Sequence, residues 1–286
     1  MIMSARQLLL LTALLVPATA SEPALSPALL AALDPTSQAQ ALCGPRRAGP
    51  SRALLAAAAI AAPASETGGV PYLADLAATR LSLGPADPGA RRWFTQGLML
   101  SYGFNHAGAV ASFRRAQAAA PDCALCWRGE AMALGPNINA PMDGRDRPAA
   151  LAALDRALAL KDGARPKEQA LIAALATRYS RDETADRAAL DKAYADAMLA
   201  VAARWPADDE IAVLAAEAVM DTSPWNYWLP DGKPVGNSGK AVRLLETVLR
   251  RNPGHVQAAH LYIHMLELPD PARAEAAADR LARARN

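Results

Sequence analysis

Between Trp93 and Pro121 the chain reads W-F-T-Q-G-L-M-L-S-Y-G-F-N-H-A-G-A-V-A-S-F-R-R-A-Q-A-A-A-P. The spacing of Trp93, Gly97, Ala109, Phe113, Ala116 and Pro121 fits two antiparallel helices folded onto one another. The small residues Gly97 and Ala109 let the two backbones approach, Phe113 fills the space between them, and Pro121 cannot continue the second helix. One such hairpin cannot bury its apolar faces alone, so the motif predicts neighbours built the same way.

The same rhythm recurs down the chain through insertions. Trp127 and Ala131 repeat the spacing of Trp93 and Gly97, and Ala150, Leu154 and Ala157 mark a second helix delayed by the loop Gly135 to Gly144. A third unit runs from Pro166 through Tyr179, breaks at Ser180 to Thr184, and resumes to Arg204. The fourth opens at Asp208, whose carboxylate suits a helix start, and ends its first helix near Asp221. A long insertion with three aromatics, Trp225, Tyr227 and Trp228, follows before Ala241, Leu245, Val248 and Pro253 restore the pattern. The fifth unit offers one helix from His255 to Glu267 and a second from Pro271 onward. Apolar residues make up 52% and aromatics only 5%, most of the rest of the apolar content being alanine and leucine. Strand formers are scarce, and the expected fold class is all-α, an α-solenoid of about five antiparallel hairpins over residues 90–286.

Upstream, Arg6, an apolar run from Leu8 to Val16 and the small residues Ala18-Thr19-Ala20 form the pattern of a signal peptide over residues 1–20. The run is far shorter than the roughly 20 residues that span a bilayer, so no membrane span is expected in the mature chain. The expected protein is exported, and periplasmic if its source is Gram-negative. Residues 21–89 form an Ala/Pro-rich extension with short helical candidates at Pro27–Leu33, Arg52–Ala62 and Tyr72–Leu81. A net charge of +2, with Lys and Arg interspersed among Asp and Glu, carries no nucleic-acid footprint.

Cys123 and Cys126 form a C-x-x-C pair that allows a disulfide, a redox dithiol or half of a metal site. Trp127 stands where covalent haem attachment requires His. Cys43 has no evident partner. His260 and His264, in H-L-Y-I-H, share one face of a helix with Glu267 a turn further on, an arrangement that binds copper or zinc when a third ligand arrives. The same pair equally suits hydrogen bonding within a groove, and Leu261 stands where a zinc protease needs Glu. Asn105 with His106, and Asn137 with Asn139, are polar insets in apolar hairpins, either satisfying turns or forming a rim with Trp225, Trp228, His260 and His264. No nucleophile elbow, phosphate loop or dinucleotide fingerprint is present.

The phrases Y-G-F-N-H-A-G-A-V-A-S-F-R-R-A-Q, P-D-C-A-L-C-W-R-G-E-A-M-A-L-G-P-N-I-N-A-P-M, P-W-N-Y-W and H-L-Y-I-H together resemble a family of exported bacterial tetratricopeptide-repeat (TPR) proteins over roughly residues 70–281. That resemblance implies a repeat scaffold with no assigned enzymatic reaction, and further hairpins beyond Asn286. The expected function is binding of a protein segment or small ligand in a concave groove, without catalysis or a required cofactor. Its expected contacts are Trp127, Glu130, Glu217, His260 and His264 from the first helices, with Asn105, His106, Asn137, Asn139, Trp225 and Trp228. The alternative is a copper- or zinc-binding or thiol-redox protein using Cys123, Cys126, His260 and His264.

Overall fold

The computed structural model describes residues 70–77 and 79–283. The expected signal peptide at 1–20, Cys43 and the first two helical candidates of the extension lie outside the described residues. Among the described residues the fold is all-helical. A single helical turn, α1 (Ala74–Ala77), precedes α2 (Pro88–Tyr102), α3 (His106–Ala119), α4 (Ala124–Ala133), α5 (Arg147–Ala159) and α6 (Pro166–Ala176). Then come α7 (Arg187–Arg204), α8 (Asp209–Met220), α9 (Ser238–Arg251), α10 (Val256–Leu266) and α11 (Pro271–Arg283). From α1 to α11 each helix packs on the next in chain order, as in a helical repeat, and α2, α4 and α6 also touch in sequence, as do α8 and α10.

Local chemistry sets the starts. Asp87 accepts from the Ala90 N–H at 2.6 Å with Pro88 in the first turn of α2, and Asn105 accepts from Gly108 at 3.0 Å to open α3. Asp186 and Asp208 cap α7 and α8, and His255 caps α10 through Nδ1, 3.3 Å from the Ala258 N–H.

Two boundaries differ from the periodicity. The helix expected over Tyr72–Leu81 contracts to Ala74–Ala77. Gln96 of α2 accepts from the Leu73 N–H at 2.7 Å and donates to the Pro71 carbonyl at 2.9 Å, which holds the backbone just ahead of this turn. The first helix of the third unit ends at Ala176, not Tyr179. The Thr177 hydroxyl donates back to the Ala174 carbonyl at 2.8 Å, which frees Arg178 and Tyr179 to turn into the interior, where Tyr179 donates to the Ala131 carbonyl.

Packing within the first hairpin extends into the second. The Phe113 ring is fully buried, and a Cβ on Gly97 would lie 2.9 Å from it. On Gly129 of α4 a Cβ would lie at 2.5 Å, so one aromatic ring wedges between glycines of two successive first helices. The chain ahead of α2 ties distant units together: Ser82 donates to Asp208 at 2.6 Å, Lys167 reaches the Ser82 carbonyl at 3.0 Å, and Arg165 reaches the Gly84 carbonyl at 2.7 Å. No helix among the described residues is long and apolar enough to cross a membrane.

Candidate functional site

The interior between the first helices is polar to an unusual degree. Arg128 and Arg178 are each only 2% exposed, where charged groups are rare unless paired. Arg178 donates to Asp221 at 2.5 Å and sits 3.5 Å from Asp191, which also pairs with Arg187 at 2.8 Å. The Arg178 guanidinium also lies over the Tyr194 ring, 4.7 Å from its centroid. Arg128 is matched less well. It reaches the Tyr194 hydroxyl at 3.3 Å and the Met132 sulfur at 3.1 Å, while its Nε has no hydrogen-bond partner.

Beside these cations lies a cavity of about 20 Å³ lined in part by Ser101, His106, Asn137, Arg178, Glu217 and Asp221. It has room for one or two water molecules or one small polar head group. Burial pushes the Glu217 carboxyl up to about 8, with Asp221 adding repulsion and Arg178 and Arg128 opposing it. Burial likewise raises Asp221 to about 6 against the pull of Arg178. His106 is drawn below its ordinary range by burial; the Ala133 carbonyl partly opposes this without reaching hydrogen-bond geometry, and neither ring nitrogen has a partner. The lining therefore combines a carboxyl and an imidazole whose neutral forms burial favours with a guanidinium already held by Asp221.

The turn between α2 and α3 joins this cavity to a second cluster. Phe104, next to the N-cap Asn105, has φ 57°, and Trp225, in the insertion after α8, has φ 63°. Among the described residues they are the only non-glycine residues in the left-handed region, which for bulky side chains is strained. Both rings pack on the same pair of histidines. Phe104 meets His260 edge-on at 5.1 Å and Trp225 meets His264 edge-on at 4.9 Å. His260 Nε2 and His264 Nε2 are 3.0 Å apart. His260 Nδ1 lies 3.1 Å from the Tyr102 carbonyl and 3.2 Å from Gln257 Oε1, and His264 Nδ1 lies 3.7 Å from a Glu267 carboxylate oxygen. Burial lowers both histidines, His260 to about 4, with His264 beside it adding to the effect. Tyr102 itself donates to Glu210 at 2.5 Å, and Glu210 lies 3.3 Å from His255, so α2, α8 and α10 share one polar network.

The structure distributes the residues expected from sequence. His106, Asn137 and Glu217 line the cavity, and His260, His264 and Trp225 form the second cluster. Trp228 donates to the Met265 carbonyl at 2.6 Å and fastens the insertion to α10. Asn105 serves α3 as its cap, and the Asn137 side chain accepts from the Asn139 N–H at 2.9 Å. Glu130 faces back into the first hairpin, where Arg114 and Gln117 donate to it at 2.7 and 2.6 Å. Trp127 packs against Ala124, Ala157 and Ile172, with its Nε1 donating to the Pro121 carbonyl at 3.2 Å. Cys123 and Cys126 are joined in a disulfide, with Cys123 at the N-cap of α4. Sulfurs in that bond are not thiolates, so the pair supplies no metal ligand in this state.

Sequence reading did not single out Arg128, Arg178, Asp221 or Phe104. Charged residues inside an otherwise apolar helical register are the signal for Arg128, and Asp221, four residues after Glu217, continues the inward face of α8. No local pattern announces the backbone of Phe104. Among the described residues no group of three or more His, Cys, Asp or Glu side chains gathers as for a metal ion. Comparison of the chain with protein-family models, with curated proteins and with solved structures finds no match.

Proposed function

We propose that the chain is a TPR-type α-solenoid scaffold, exported and non-catalytic, that binds a protein segment or small ligand at the polar recess between its first helices. The observation that supports this reading is the cavity among Ser101, His106, Asn137, Glu217 and Arg178, where buried polar atoms of His106 and Asp221 have no hydrogen-bond partner. Unpaired buried polar atoms are costly, and a ligand group that donates to one and accepts from another recovers that cost on binding. The recess admits only a head group, so the body of the ligand lies outside it, with the turn at Phe104 to His106 and the loop at Asn137 as its contacts. In its protonated form, which burial favours, the Glu217 carboxyl can donate as well as accept, which suits an amide or carboxylate head group.

Selection from a random-peptide display library, alongside crystal soaking with small amides and carboxylates, tests this reading. Ligands that bind wild-type protein and lose affinity in an Asn137→Ala, His106→Ala double variant with unchanged helical circular dichroism support it. Ligands that bind both proteins equally, or no enrichment from either collection, contradict it.

A further inference from the structure

The four ring nitrogens of His260 and His264 are matched incompletely by hydrogen bonding alone. The Tyr102 carbonyl can only accept, so His260 Nδ1, 3.1 Å away, carries the proton, and the neutral ring then presents a lone pair at Nε2. The hydrogen between the two Nε2 atoms, 3.0 Å apart, therefore comes from His264. That leaves a lone pair on His264 Nδ1, which is buried without a hydrogen-bond partner and faces the Glu267 carboxylate at 3.7 Å. Two acceptors facing one another are mismatched.

A cation between the Nε2 atoms removes the mismatch. His264 then moves its proton to Nδ1, on the side of Glu267, and both Nε2 lone pairs are free to bind the ion. His260 has at Nδ1 the kind of partner that orients metal-bound imidazoles, a backbone carbonyl, and the Glu267 carboxylate lies 3.7 Å from His264 Nδ1, near enough to take up that role on a small side-chain shift. Two metal–nitrogen bonds of about 2.05 Å across that separation subtend roughly 94°, close to tetragonal and slightly tighter than tetrahedral. Phe104 and Trp225, the two strained residues, wall the pair with apolar rings, the dry surround that strengthens such a bond.

We propose that His260 and His264 form a two-imidazole site for copper(II) or zinc, with Glu267 and the Tyr102 carbonyl as positioning groups and the remaining coordination positions open to an exogenous ligand. Imidazole suits both ions, and the site does not depend on the recess binding a ligand. It uses neither Cys123 nor Cys126.

Full-length protein stripped with a chelator and titrated with copper(II) sulfate or zinc sulfate against a chromogenic chelator tests the site. The expected result is one ion per chain, with affinity lowered about 100-fold in His260→Gln and in His264→Gln and about 10-fold in Glu267→Gln. Electron paramagnetic resonance of the copper-loaded wild type, which does not rely on variants folding, is expected to show two imidazole nitrogens in the copper coordination plane. No stoichiometric uptake, the behaviour of a pair that merely shares a proton, overturns the site. So does wild-type affinity in both histidine variants, or a copper spectrum with oxygen ligands alone.

Discussion

A Cβ on Gly129 would lie 2.5 Å from the Phe113 ring, closer than a Cβ on Gly97 at 2.9 Å, so the wedge between the first two hairpins is tightest on the second. Gly129→Ala is expected to cost about 2–3 kcal/mol and Gly97→Ala about 1–2 kcal/mol, because neither helix nor ring has room to yield. Phe113→Leu in the Gly129→Ala background is expected to return part of the loss. Urea unfolding followed by circular dichroism measures all three, and a Gly129→Ala protein as stable as wild type would falsify the wedge.

Arg178 balances Asp221 and Asp191, all three buried. Arg178→Met leaves both carboxylates without it and is expected to destabilise by about 3–5 kcal/mol. Adding Asp221→Asn is expected to recover about 1–2 kcal/mol, since the second change removes a charge that the first left unpaired. A double-mutant cycle in urea reads the coupling; additive losses would mean that the two groups do not interact.

Glu217 makes stability depend on pH in a defined direction. Its folded value, about 8, lies above the ordinary 4.5, so the folded state holds a proton that the unfolded chain has released. The stabilisation is full below about pH 4.5 and is lost as pH rises through 8, by up to about 1.4 kcal/mol per pH unit. Asp221, raised to about 6, acts in the same sense over a lower window, while Arg178 and Arg128 oppose the shift of Glu217. Between pH 5 and pH 8.5 the stability difference between Glu217→Gln and wild type is expected to shift in the variant's favour by up to about 4 kcal/mol. Equal differences at both pH values would show that Glu217 ionises normally.

The disulfide between Cys123 and Cys126 closes a very short loop at the start of α4. Chain-entropy reasoning gives such a loop about 2 kcal/mol. Thermal melts with and without reductant are expected to differ by that amount in wild type and not at all in a Cys123→Ser, Cys126→Ser protein.

The Trp93 to Pro121 hairpin and the later register were readable because helical burial imposes a period on alanine and leucine, and α8 and α10 run within a residue of the expected bounds. The start of the first helix was not legible, because a tertiary contact, Gln96 on the backbone of Pro71 and Leu73, holds the chain just ahead of Ala74. His260 and His264 were visible as a pair, since four-residue spacing puts both on one face. Their aromatic walls were not, because Phe104 and Trp225 arrive from a turn and an insertion whose left-handed backbones leave no sequence period. Trp127 and Glu130 show the limit of reasoning from helix number alone: both belong to a first helix, yet both face away from the cavity.

On the proposed function, the scaffold takes its ligand at the recess beside His106. Calorimetric Kd values for the strongest display- or soak-derived ligand, measured on wild type and on His106→Phe, test it most directly, because the larger apolar ring fills the cavity and removes the imidazole. The expected result is at least a 10-fold weaker Kd in the variant with its melting temperature little changed. An unchanged Kd in a folded His106→Phe protein would contradict it.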